Sequence, residues 1–228
     1  MRVGIVAAMK PEMEEILNEM EDLESVRIFG SEFHRGYIGN VEVVLTESGM
    51  GKVNAAIATT ILIREFECSF IINTGIAGGT KPLKHRDIVI AESLAYHDVD
   101  ATIFGYKYGQ VPRMPAEYLV NVENIIMIKS VLNKIGIKYK TAKVYSGDQF
   151  VSSMDAFKNI DNTVGIVTEM EGAGVAQTCI RAGIDFIVLR YISDFIGEEN
   201  QEESYLEFEN DMAHESATIC IKLLKNLG

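Results

Sequence analysis

Carboxylates and glycine-rich turns recur at one kind of place in this chain, directly after short apolar runs. Glu12 follows the run Val3–Ala8, Glu169 and Glu171 follow Gly165–Thr168, and Asp194 follows Phe186–Ile192. Between them stand Ser48-Gly49-Met50-Gly51-Lys52, Asn73-Thr74-Gly75-Ile76-Ala77-Gly78-Gly79 and Ser146-Gly147-Asp148-Gln149-Phe150. Carboxyl groups donate protons and activate water, and glycine lets backbone approach a ligand closely. Each residue alone also has an ordinary structural use. Glu12 suits the positive end of a helix, Glu171 a helix start, Asp194 a cap, and the glycines a tight strand–helix turn. The combination carries the inference, because perturbable carboxyls clustered around a pocket more often mean catalysis than plain binding.

Several chemistries are excluded. Gly75-x-x-Gly78-Gly79 lacks the G-x-G-x-x-G spacing of a dinucleotide site, and no Gly-Lys-Ser/Thr follows it as in a phosphate loop. His34, His85, His97 and His214 show no ligand spacing, so neither a metal nor another cofactor is expected. The formal net charge of −12 repels phosphate backbones, which argues against nucleic acid as a partner. Cys68, Cys179 and Cys220 form no disulfide framework and read as buried reduced thiols. The apolar start is interrupted at Lys10-Pro11-Glu12, too early for a signal peptide or a membrane span. A soluble cytoplasmic protein, not a membrane-bound one, is expected.

The elements that must position these residues follow from periodicity. Strands are predicted at Val3–Ala8, Val41–Thr46, Phe70–Asn73, Ile88–Glu92, Ala142–Ser146, Gly165–Thr168 and Phe186–Ile192. Several are continuous Val/Ile runs, as in strands covered on both faces. Pro11 opens a first helix whose Met13, Ile16, Leu17 and Met20 share one face. Further helices are predicted from about 54 to 66, 122 to 134, 171 to Gly183, and from around Ser204 to Leu224. Alternating strands and helices imply one α/β domain over residues 1–228, three layers with helices flanking a twisted, mixed but largely parallel sheet. Ligands of such folds bind beyond the carboxyl ends of the strands, where the carboxylates lie.

The order and local sequence of these blocks resemble the bacterial 5′-methylthioadenosine/S-adenosylhomocysteine nucleosidases of the purine nucleoside phosphorylase superfamily. The resemblance runs over essentially the whole chain. It is strongest at Val3-Gly4-Ile5-Val6-Ala7-Ala8-Met9 with Glu12, at Ser48-Gly49-Met50-Gly51-Lys52-Val53-Asn54-Ala55-Ala56 and at Ile71–Gly79, and continues through Tyr96–Thr102, Phe104–Pro112, Ser146-Gly147-Asp148, Glu169-Met170-Glu171 and Ser193-Asp194. It implies hydrolysis of an N-glycosidic bond through an oxocarbenium-like transition state. By that resemblance Asp194 protonates the purine at N7, Glu12 activates water, and Glu171 holds the ribose hydroxyls against Met170. Phe150 and the backbone of Val151 receive adenine, while Met9, Met50 and Tyr205 line the alkylthio pocket. Ala8, Ile76, Ala77, Gly78, Glu169 and Ser193 complete the substrate site. The family also implies a homodimer in which a partner loop closes the pocket through Ala101, Phe104 and Pro112. Arg190 is placed to pair with Glu12 or Glu169, or to form a structural ion pair.

Water is the expected nucleophile. Phosphorylases of this superfamily place an arginine two residues before the first glycine of the turn, and Asn73 stands there in this chain. A neutral amide replaces a guanidinium fork poorly. Two positions depart from the family pattern. Ile76 stands where the family's turn has a serine that hydrogen-bonds near the catalytic aspartate, and Tyr191 is larger than the usual small residue. These keep two alternatives open: hydrolysis of another purine nucleoside, of futalosine type, and a non-catalytic nucleoside-binding module.

Overall fold

The computed structural model describes residues 1–160 and 165–227. Ten strands and five α-helices alternate along it. They are β1 (Arg2–Ala7), α1 (Lys10–Asn18), β2 (Glu21–Ile28), β3 (Ser31–Ile38), β4 (Val41–Glu47), α2 (Lys52–Arg64), β5 (Phe70–Gly79) and β6 (Ile88–Tyr96). There follow β7 (Tyr118–Leu119), α3 (Val122–Lys134), β8 (Lys140–Ser146), β9 (Val167–Glu169), α4 (Gly172–Ala182), β10 (Asp185–Phe195) and α5 (Gln201–Leu224). Among the described residues no helix is long and apolar enough to cross a membrane.

The strands form one mixed sheet. Parallel pairs are β1–β4, β1–β5, β5–β10, β6–β8 and β8–β9. Antiparallel pairs are β2–β3, β3–β4, β5–β9, β6–β7 and β6–β10. β5 is the hub, hydrogen-bonded to β1, β9 and β10. The pairings β5–β10–β6–β8–β9 return to β5, so this half of the sheet curls into a closed ring. Helices α1 and α2 pack on β1 and β4, and α3, α4 and α5 pack on strands of the ring; β1 and β5 are buried nearly throughout, as strands covered on both faces must be.

Two features depart from the sequence reading. No strand is predicted between the first helix and Val41, yet the hairpin β2–β3 stands there and extends the sheet beyond β4. Its first strand, Glu21–Ile28, is exposed almost throughout and carries charge, so no apolar alternation marks it. Such charge on an edge strand discourages pairing with another chain. The second departure is the glycine-rich segment, read as a turn. It continues as strand to Gly79, paired to β10 through Gly78↔Asp194 and Gly79↔Phe195, with a bulge between Ile192 and Asp194. A Cβ at Gly75 would stand 2.5 Å from Glu12 Oε1, and one at Gly78 would stand 3.1 Å from Asp194 Oδ2. The glycines let one strand run between two carboxylates.

Candidate active site

Glu12, in the first turn of α1, is almost fully buried, not the surface residue that its position alone suggests. The chain doubles back so that Oε2 accepts from the backbone N–H of Ala8 (2.7 Å) and Met9 (3.0 Å), while Oε1 accepts from Ile76 N–H (3.2 Å). Burial raises its pKa, against the opposing pull of Arg190 and those three donors.

Glu169 and Glu171 lie at the junction of β9 and α4. Glu169 Oε2 accepts from Arg190 Nη2 (2.5 Å) and from the N–H of Glu171 (2.9 Å) and Gly172 (2.7 Å); Oε1 accepts from the Ser146 hydroxyl. Burial alone would raise the pKa of Glu169, but Arg190 and these donors outweigh it and hold it below the ordinary value. Glu171 is pushed the other way, to about 8, by burial and by the neighbouring negative charge of Glu169. Its Oε1 accepts from Gly51 N–H (2.8 Å) at the start of α2. Two neighbouring carboxyls are thus driven apart, one charged and one inclined to hold a proton.

Asp194, near the end of β10, is buried. Its Oδ1 accepts from the Ser193 hydroxyl and its Oδ2 from Gln201 Nε2, each at 2.6 Å. Ser193 also reaches Ala77 O (3.3 Å), which ties the aspartate to β5.

These groups share one cavity. The carboxyls of Glu12, Glu169, Glu171 and Asp194 form its polar wall. Ala8, Met9, Met50, Ile76, Ala77, Gly78, Phe150, Val151, Met170, Ser193 and Tyr205 complete the lining with Gln149 and Thr168. All fifteen positions that the sequence assigns to this chain's own catalytic and substrate contacts are therefore brought together. Tyr205 sits edge-on to Phe150, ring centroids 5.4 Å apart, and its hydroxyl reaches Met9 Sδ at 3.6 Å. Among the described residues, none of those lining the cavity is Lys, Arg or His.

The superfamily profile, described as "Phosphorylase superfamily", matches residues 2–225. A 5′-methylthioadenosine/S-adenosylhomocysteine nucleosidase of Staphylococcus haemolyticus is 39% identical over 99% of this chain and 100% of its own length. The S-adenosylhomocysteine nucleosidase of Streptococcus pyogenes, solved with 5-methylthiotubericidin, superposes with a TM-score of 0.92 at 34% identity, covering 100% of this chain and 98% of that one. The chain belongs to the 5′-methylthioadenosine/S-adenosylhomocysteine nucleosidases. A structure described as a futalosine hydrolase mutant of Helicobacter pylori strain 26695 is also similar, with a TM-score of 0.91, 31% identity and 98% of each chain covered.

In this nucleosidase-family chain Arg190 takes one of the two pairings open to it. Its guanidinium binds Glu169, Asn73 Oδ1 (2.5 Å) and Leu189 O (2.9 Å), and it influences Glu12 only through its field. Asn73 is a buried brace, with Nδ2 donating to Val6 O (3.0 Å). Tyr191 directs its hydroxyl to Glu215 on α5, and Ile76 alone of the two unusual residues lines the cavity. Phe104 and Pro112 are exposed, whereas Ala101 is buried within its own chain. The sequence reading missed Gln149 and Thr168 of the cavity lining and also Gln201, which holds Asp194. Gln201 lies at the start of α5, which was expected to begin near Ser204, and no motif marks it.

Proposed function

We propose that this chain hydrolyses the N-glycosidic bond of 5′-methylthioadenosine and S-adenosylhomocysteine, releasing adenine and the 5-thio-substituted ribose. One observation carries the reading: buried carboxyls on several sides of one cavity with no cation among its described lining residues. A phosphorylase needs positive groups to hold phosphate, whereas water needs only a carboxylate that can take its proton.

Bond breaking builds positive charge on the ribose and negative charge on the departing base. Asp194 delivers a proton to purine N7 and so neutralises the leaving group. Glu12, held still by three backbone N–H groups, orients the water and accepts its proton. Glu171 hydrogen-bonds the ribose hydroxyls, with Met170 against the sugar. Phe150 stacks on the base, the backbone of Val151 meets its amino edge, and Met9, Met50 and Tyr205 receive the alkylthio group. The test is adenine release from both nucleosides in phosphate-free buffer. A folded chain that releases no adenine from any 5′-substituted adenosine would defeat the reading.

The working unit is a homodimer with one nucleosidase domain per chain. Phe29, Val53, Ile103 and Phe104 are large apolar side chains left mostly exposed, a surface that suits an interface. Phe104 and Pro112 would close the partner's cavity. Three buried free thiols fit a reducing, cytoplasmic setting.

A second reading is hydrolysis of a futalosine-type nucleoside. Ile76 favours it by changing the cavity wall, and one similar structure is described as a futalosine hydrolase mutant. Comparing kcat/KM across the three nucleosides decides between the readings.

A further inference from the structure

Gln201, in the first turn of α5, is buried and hydrogen-bonds two residues of the cavity wall, Asp194 and Val151. Its Nε2 donates both to Asp194 Oδ2 (2.6 Å) and to Val151 O (3.1 Å), and its Oε1 accepts from Gly197 N–H (3.0 Å). The surroundings fix the amide's orientation. Reversed, its oxygen would face a carboxylate and a carbonyl, and its NH2 would face an N–H.

A planar NH2 with both hydrogens on these two acceptors has the donor pattern of an aromatic amine. Under the function proposed above, on which this inference rests, Asp194 faces purine N7 and the Val151 backbone faces the neighbouring amino group. These are adjacent positions on one edge of the base. Gln201 touches both acceptors, so its amide and that edge cannot occupy the same place. We propose that Gln201 is a built-in competitor for the purine: its carboxamide fills the amino edge of the base site in the empty chain and withdraws when adenine or a nucleoside docks. The link between β10 and α5 provides a route. Gly197 (φ +79°) and Asn200 (φ +64°) both sit in the left-handed region there, so the first turn of α5 joins β10 through a sharply bent connection. While in place, the amide also gives the buried Asp194 oxygen a donor that the base would otherwise supply.

A ligand that must wait for an open state binds with an affinity reduced by the open fraction. Calorimetric titration of adenine into the intact chain and into Gln201→Ala tests this, together with kcat/KM for 5′-methylthioadenosine. The expected result is a dissociation constant for adenine about 3- to 10-fold lower in the variant, with a higher kcat/KM. Unchanged or weaker adenine binding overturns the proposal. So does a fall in kcat/KM, which would make Gln201 a positioning residue for Asp194. A second measurement needs no variant. In ¹⁵N spectra the Gln201 side-chain amide should be protected in the empty chain and become solvent-like at saturating adenine; protection that persists with adenine bound overturns the proposal. A wild-type chain that neither binds adenine nor cleaves the nucleoside defeats the function itself, and the competitor with it.

Discussion

Arg190 and Glu169 form an ion pair at 2.5 Å with side chains only 2% and 3% exposed. Glu169 lines the cavity and Arg190 stands behind it, the charge that opposes the raised pKa values of Glu12 and Glu171. Removing one partner leaves the other charged and buried. Arg190→Met is expected to cost about 3–5 kcal/mol of stability, read from the midpoint of urea unfolding. A loss below about 1 kcal/mol would mean that the pair is not buried in solution.

Glu12→Gln separates chemistry from structure. The glutamine oxygen can still accept from Ala8 and Met9, but its NH2 then faces the Ile76 N–H, donor against donor. That mismatch should cost about 1–3 kcal/mol. Loss of the water-activating carboxylate should lower kcat about 10²- to 10⁴-fold. Turnover and unfolding measured on the same preparation check both; turnover within threefold of wild type would remove Glu12 from its role.

Asp194→Asn removes the proposed proton donor with little change in shape. The remaining carboxamide oxygen can accept from Ser193 or from Gln201, so folding should persist. Turnover should fall about 10²-fold or more, while adenine still binds. Near-normal adenine release from 5′-methylthioadenosine would exclude the assignment.

Much of this was legible in the sequence, for physical reasons. β1, β4 and β10 are continuous Val/Ile runs because neighbours cover both faces, and such runs stand out. β2 did not stand out, because an exposed charged edge strand has no buried face to impose alternation. Residues of the cavity wall could be named only through the family resemblance that the order of short motifs carries. Gln201 could not, since its contacts join residues far apart in the chain and depend on where α5 begins. The closing of β5–β10–β6–β8–β9 into a ring also leaves no local mark.

The Glu171 carboxyl makes stability depend on pH in a predictable sense. Its pKa rises from 4.5 in the unfolded reference to about 8 in the folded chain. Between those values the folded state holds a proton that the unfolded state has lost, so stability falls as pH rises. The favourable contribution is complete below pH 4.5 and is gone above about 8. Glu169, with its lowered pKa, acts only on the acid side, where stability falls as pH drops through its folded value. Glu171→Gln should therefore flatten the decline in melting temperature between pH 5 and 8 relative to wild type. Parallel melting curves for the two proteins across that window would rule out a raised Glu171.

The proposed dimer can be broken from α2 without touching the cavity. Val53 and Ile57 lie one turn apart on that helix, 67% and 36% exposed, beside a groove whose lining includes Phe29, Val99 and Val111. A carboxylate introduced there would be desolvated on association with nothing to pair it. Ile57→Asp should shift the chain to monomer at micromolar concentration in sedimentation velocity, with the fold retained in circular dichroism. If Phe104 of each chain closes the other's cavity, the monomer should show KM for 5′-methylthioadenosine raised about tenfold or more. A monomer with wild-type KM would leave the interface standing but remove Phe104 from the substrate site; a persistent dimer would move the interface away from α2.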